Sequence, residues 1–139
     1  MIDRAFRWAR RHLGRRGASL LYFAGLDVLY GWAVFNAASG IGQTATFEWF
    51  ATIAPLQAWA GVWWAVAAIC LYHAFQHHDR FGFIAAIGIK LLWGGGCVVG
   101  WLSADVPVSS VGIWLGLAGL VWIISGWPDP DDNGEDVRS

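Results

Sequence analysis

Apolar residues gather into four runs, at 18–38, 56–76, 81–102 and 108–127, with polar residues between and outside them. Each run is long enough to cross a hydrocarbon core of about 30 Å at about 1.5 Å rise per residue. Backbone groups in lipid have to be satisfied within their own segment, so runs of this length predict helices. Glycines inside them do not argue otherwise, because glycine is frequent in membrane helices. The expected fold class is all-α: a polytopic membrane protein built as a four-transmembrane-helix bundle. Two formal charges interrupt the pattern, Asp27 in the first run and Lys90 in the third.

The segments outside the runs have patterns of their own. Ile2, Phe6, Ala9 and Leu13 recur at helical spacing, with arginines on the other faces. Residues 1–17 therefore read as a basic amphipathic cytoplasmic helix, with Gly14 and Gly17 hinging it into the first span. Arg4, Arg7, Arg10, Arg11, Arg15 and Arg16 suit an anionic membrane surface. The plainer reading of the same arginines is a topology signal. The nearby span accounts for them without nucleic acid. Between the first two runs, Phe47, Trp49, Phe50 and Ile53 predict a short interfacial helix at 46–53 that ends before Pro55. Residues 128–139 are acidic and carry almost no apolar side chains, so a disordered tail is expected.

Composition agrees with the pattern. Only 14% of residues are charged, against roughly a quarter in average soluble proteins. Mean hydropathy is +0.47. The first run is about 20 residues long and holds an aspartate. It is too long for a secretory signal core of roughly 7–15 residues, and is read as an uncleaved span. Six arginines precede it, and Arg80 lies in the turn after the second run, whereas the loops at 39–55 and 103–107 carry no Arg or Lys. The positive-inside rule then puts both termini on the cytoplasmic side of the inner membrane. Trp32, Trp49, Trp59, Trp63 and Trp101 fall in the outer half, and Trp8 and Trp127 on the inner side, as an aromatic belt would.

On this topology Asp27 and Lys90 each lie nine residues past the inner boundary of a span running outward. Both are then about 13–14 Å deep. An isolated charge there costs from roughly 2.5 kcal/mol upward. Two opposite charges at one depth offset much of that cost, so an Asp27–Lys90 contact is expected. One reading makes it a buried pair that fixes helix geometry. The other makes it part of an ion or proton path, since intramembrane ionisable residues are functional candidates.

Other constellations are weaker. His73, His77 and His78 stand near Asp79, and a metal there would lack a well-placed fourth ligand. A pH-sensitive turn is the alternative. Cys70 and Cys97 differ in depth by about 15 Å, beyond the reach of a disulfide. Both read as packing residues. Gly96-x-x-x-Gly100 and Gly112-x-x-x-Gly116, followed by Gly119, let helix backbones approach. Packing within the chain is the first reading of these glycines, and a homo-oligomer through the fourth span is the sharper one. No hydrolase elbow, phosphate loop, dinucleotide fingerprint or metalloprotease motif is present, so a non-enzymatic protein without a cofactor is expected.

The stretch Gly14-Arg15-Arg16-Gly17-Ala18-Ser19-Leu20-Leu21, running into Gly25-Leu26-Asp27-Val28-Leu29-Tyr30-Gly31-Trp32, resembles the opening of small multi-span membrane proteins of actinobacterial phages and prophages. These are described as holin-like or simply as membrane proteins. The likeness covers about the first quarter of the chain, with overall size and span count, and assigns no residue a role. It implies a holin-like protein that accumulates in the inner membrane, assembles there and permeabilises it for host-cell lysis. Two other classes remain open. One is a small proton- or cation-coupled transporter, by analogy with four-span exporters that carry an acid in their first span. The other is a regulatory or exclusion protein bound to another membrane protein.

Overall fold

The computed structural model describes residues 15–76 and 79–127. The arginines at 4, 7, 10 and 11, His77, His78 and the acidic tail lie outside these residues. Among the described residues there are five helices and no strand: α1 Arg15–Ala37, α2 Ala45–Ile53, α3 Leu56–His73, α4 Arg80–Ser103 and α5 Val108–Ser125. Three of them, α1, α4 and α5, are long and apolar enough to cross a membrane by themselves. The α3 helix reaches that mark only together with α2, from which it is bent by 96°.

Local chemistry sets the breaks. The chain leaves α1 through a Schellman motif. Ile41 N–H donates to the Asn36 carbonyl and Gly40 N–H to that of Ala37, at 3.1 and 3.0 Å. Gly40 sits at φ +83°, a left-handed conformation that glycine adopts without a Cβ clash. Thr44 then caps α2, its hydroxyl accepting from Phe47 N–H at 3.3 Å. Pro55 stops α2 and starts α3. Gly17 does not hinge the chain: it lies inside α1 and is buried. Arg15 and Arg16 belong to the helix itself, and Gly14 lies outside the described residues.

The α1 helix packs along α3, α3 along α4, and α4 along α5, while α1 meets α4 and α5 far more sparingly. Buried positions on α1 (Leu20, Phe23, Ala24, Asp27, Gly31 and Val34) recur every three or four residues and form one stripe. Gly31 permits the tight α1–α3 approach. A Cβ there would come within 2.7 Å of the Trp64 indole. The interior divides into two clusters. Leu20, Phe23, Cys70, Phe83 and Val121 are in one. The other is aromatic, with Phe47, Phe50, Trp63, Trp93 and Trp114.

The α2 helix forms where a short helix is expected, but it turns its aromatic side chains into the bundle. Phe47 and Phe50 turn inward, and Phe50 stacks on Trp93 at 3.6 Å between ring centroids. Trp49 Nε1 donates to the Gly96 carbonyl at 3.0 Å, and Trp59 Nε1 to that of Phe50 at 3.2 Å. The helix closes one end of the bundle, because its aromatic side chains find more contact area there than at a surface. Ile53 alone of the four expected contact residues stays largely exposed.

Candidate functional site

Asp27 and Lys90 meet in the middle of the bundle. Lys90 Nζ donates to Asp27 Oδ1 at 2.7 Å, with side-chain exposures of 0% and 1%. Both lie on the buried stripes of their helices, so their register follows from the same period that places the apolar core. Asp27 is about 18 Å along α1 from Arg15, and Lys90 about 15 Å along α4 from Arg80. The long lysine side chain covers the gap between two helices whose backbones approach little. Its ammonium also lies 5.5 Å from the Phe23 ring centroid and 5.7 Å from that of Trp63. Aromatic faces attract a cation at this range. Asp27 Oδ2, in contrast, is buried without a hydrogen-bond partner among the described residues.

A cleft of about 260 Å³ opens between α1 and α5, where those helices part. Leu26, Leu29, Tyr30 and Ala33 form one wall, and Trp114 and Leu117 the other. Asp27 and Lys90 lie at its floor. The ion pair is thus approached from the side of the bundle rather than along its axis. Along the axis, Tyr30, Trp63, Trp93 and Trp114 fill one half with ring contacts of 4.4–5.6 Å. The Trp63 and Trp93 indole nitrogens have no hydrogen-bond partner among the described residues.

This corrects the reading of Trp63 as part of an aromatic belt. It is fully buried, as is Trp93, whereas Trp32 and Trp101 are exposed. A legible signal existed: Trp63 lies on a stripe with Ala60, Ala67 and Cys70, whose small side chains mark an inward face.

The other candidate residues divide. Arg16 is no free surface arginine. Its Nε lies 2.9 Å from Asp79 Oδ2, and its guanidinium sits 5.3 Å from the Phe83 ring centroid. Arg15 is exposed. Gly96 accepts the Phe50 ring, and Gly100 the Val106 and Trp49 side chains, instead of a second helix backbone. An added Cβ would come within 2.5 Å of Phe50 at Gly96, and within 2.8 Å of Trp49 at Gly100. Gly112, Gly116 and Gly119 face away from the bundle, and among the described residues an added Cβ there would meet no neighbouring element within 4 Å. They do not serve packing among the described residues, because Trp114, Ala118 and Val121 form the inward side of α5. Cys70 and Cys97 are both buried, free and in different clusters. Among the described residues no three His, Cys, Asp or Glu side chains gather to hold a metal.

No protein-family model matches the chain, and no curated protein and no solved structure is significantly similar to it.

Proposed function

We propose that this is a four-span integral protein of the cytoplasmic membrane, with both flanking segments on the cytoplasmic side, and that it acts holin-like, permeabilising the bilayer as an assembly. The membrane reading is supported by where polarity lies. The two mid-helix charges are sealed against each other. The outer surface presents Leu29, Ile84, Leu92, Trp122 and Ile123. Exposed apolar faces of this extent suit lipid rather than water.

The assembly reading is carried by one observation. The Gly112, Gly116 and Gly119 face of α5 points outward and meets no other helix among the described residues. Small residues at this spacing allow close helix pairing in lipid. A single copy has an aromatic interior and a neutralised charge pair in place of a polar route, which favours permeation between copies over conduction through one. Induced expression with a membrane-potential dye tests this. The expected result is a delayed, abrupt depolarisation that Gly116→Leu postpones or abolishes. A second reading, a small coupled transporter, is favoured by the cleft that ends on Asp27. An intact potential with increased efflux of a lipophilic compound would select that reading and sink the first.

A further inference from the structure

One short helix holds together the bundle end opposite Arg15 and Arg80. The α2 helix reaches all four long helices. Phe47 meets the Tyr30 ring of α1 at 6.0 Å, and Phe50 stacks on Trp93 of α4. Trp59 of α3 donates to the Phe50 carbonyl, and the Thr46 hydroxyl lies 3.2 Å from that of Ser110 on α5. The α1 and α5 helices otherwise meet sparingly, so α2 is what joins them at this end. Both of its joints are narrow. On one side Gly40 and Gly42 stand at φ +83° and +73°, and no neighbour would meet a Cβ added at either. On the other, Ala54 is extended and Pro55 ends the helical path.

We infer that α2 is a two-position lid: docked on the bundle end as observed, and undocked with its aromatic face laid in the lipid–water interface beside it. The glycine and Ala54–Pro55 joints let the helix turn as a unit. Its own side chains give it a second place to rest. Phe47, Trp49 and Phe50 suit an interface as well as an interior, so undocking does not strand them in water. Ile53 is 56% exposed when α2 is docked and gains burial when it is not. Docking also carries a cost. The indole nitrogens of Trp63 and Trp93, in the cluster that α2 closes, are buried with no partner among the described residues. Unpaired buried donors disfavour the closed end. Opposed terms of this kind leave two states close enough in energy for both to be populated. Undocking uncovers Gly96 and Gly100, on which Phe50 and Trp49 sit, and opens the cluster that holds Cys97. The inference rests on bilayer residence and is independent of permeabilisation.

The two native thiols report the lid without added labels. Cys97 is buried in the cluster under α2, and Cys70 is buried in the other cluster as a control. The full chain in phosphatidylcholine nanodiscs is treated with trimethylammonioethyl methanethiosulfonate, a charged, water-borne reagent, and each cysteine peptide is followed by mass spectrometry. Modification of a buried thiol follows the open population. The expected result is that Cys97 reacts about tenfold or more faster than Cys70. Gly96→Ala drives a Cβ into the Phe50 ring and should raise the Cys97 rate about tenfold. A disulfide in Thr46→Cys with Ser110→Cys should lower it about tenfold or more, and a reductant should restore it. Ile53→Glu burdens the undocked state and should also lower it. Cys97 as inert as Cys70 in both the parent and Gly96→Ala would make α2 a fixed cover and overturn the lid. Equal Cys97 rates with and without the disulfide would overturn it as well. Cys97 and Cys70 reacting together would assign the exposure to unfolding of the whole bundle, against the lid. An unchanged rate in Ile53→Glu overturns the interface as the second position. Release of the protein from membranes by alkaline carbonate without detergent would overturn bilayer residence instead, and is read separately.

Discussion

Two ion pairs tie α1 to α4 and the residue that caps it, and they differ in nearly every respect but register. Arg16 meets Asp79 at one end of the bundle, with side chains 21% and 13% exposed. Asp27 meets Lys90 in the middle, with both sealed. On each side the two partners are eleven residues apart, which is three helical turns or about 16 Å. The α1 helix and α4 therefore run in the same direction and in step, although their backbones stay well separated. The signs alternate: α1 supplies the cation at the end and the anion in the middle. A slip of α1 past α4 by a turn would break both pairs, and no shifted register pairs the charges again. The end pair is solvated enough to be exchanged for water, whereas the middle pair has no such substitute. The same geometry thus gives a weak clasp at one end and a stringent lock in the core.

The largest effect expected is from breaking the lock on one side. Lys90→Met leaves the Asp27 carboxylate buried with neither of its oxygens paired. Unfolding in mixed micelles, followed by tryptophan fluorescence, should show a loss of about 3–5 kcal/mol. Asp27→Leu combined with Lys90→Met should return stability to within about 1 kcal/mol of the parent, or exceed it, because an apolar replacement removes both desolvation costs. If the double variant stays as unstable as Lys90→Met, the pair is not where the cost arises, and the contrast between lock and clasp fails.

Reversing the lock is a finer probe. Asp27→Lys with Lys90→Asp keeps one long and one short side chain across the same gap, so the charges can meet again. The ammonium would then start from α1, and its places against Phe23 and Trp63 would be lost. The swap should therefore recover most of what a single substitution loses but remain about 1–2 kcal/mol below the parent, the size of two partly desolvated cation–π contacts. Full recovery would mean that the rings contribute nothing. No recovery would mean that the pair is tuned to its orientation.

How far these pairs could be read from the chain follows from the same contrast. Asp27 and Lys90 were legible because a charge inside a long apolar run is conspicuous, and equal depth along two runs read as parallel leaves one natural partner. Arg16 was not. It stands in a run of arginines that topology alone explains, and its partner Asp79 follows two histidines and has an arginine of its own beside it, Arg80. The four runs foretold the long helices to within three residues at each end. The burial of α2 was hidden for a chemical reason. Phe47, Trp49 and Phe50 suit a membrane interface and a protein interior equally well. Trp63 was misread on the same ground, although its alanine neighbours carried the deciding signal. The outward face of Gly112, Gly116 and Gly119 depended on whether Trp114 or Trp122 would turn inward, and the all-round apolar character of that helix conceals it.

The smallest effect belongs to the clasp. Arg16→Met removes its charge but keeps an unbranched apolar stem that can still lie along Phe83, so packing is largely preserved. The loss in mixed micelles should be about 1 kcal/mol or less, in the range of partly exposed pairs. Salt separates it from the lock more sharply than size does. Raising ionic strength from 0.01 to 1 M shortens the screening length from about 30 to about 3 Å. The difference between Arg16→Met and the parent should shrink accordingly, since solvent reaches this pair. The difference between Lys90→Met and the parent should not move, since no ions enter the buried pair. A Lys90→Met penalty that falls with salt would mean that water and ions reach the middle of the bundle, and the distinction between a solvated clasp and a sealed lock would have to be abandoned.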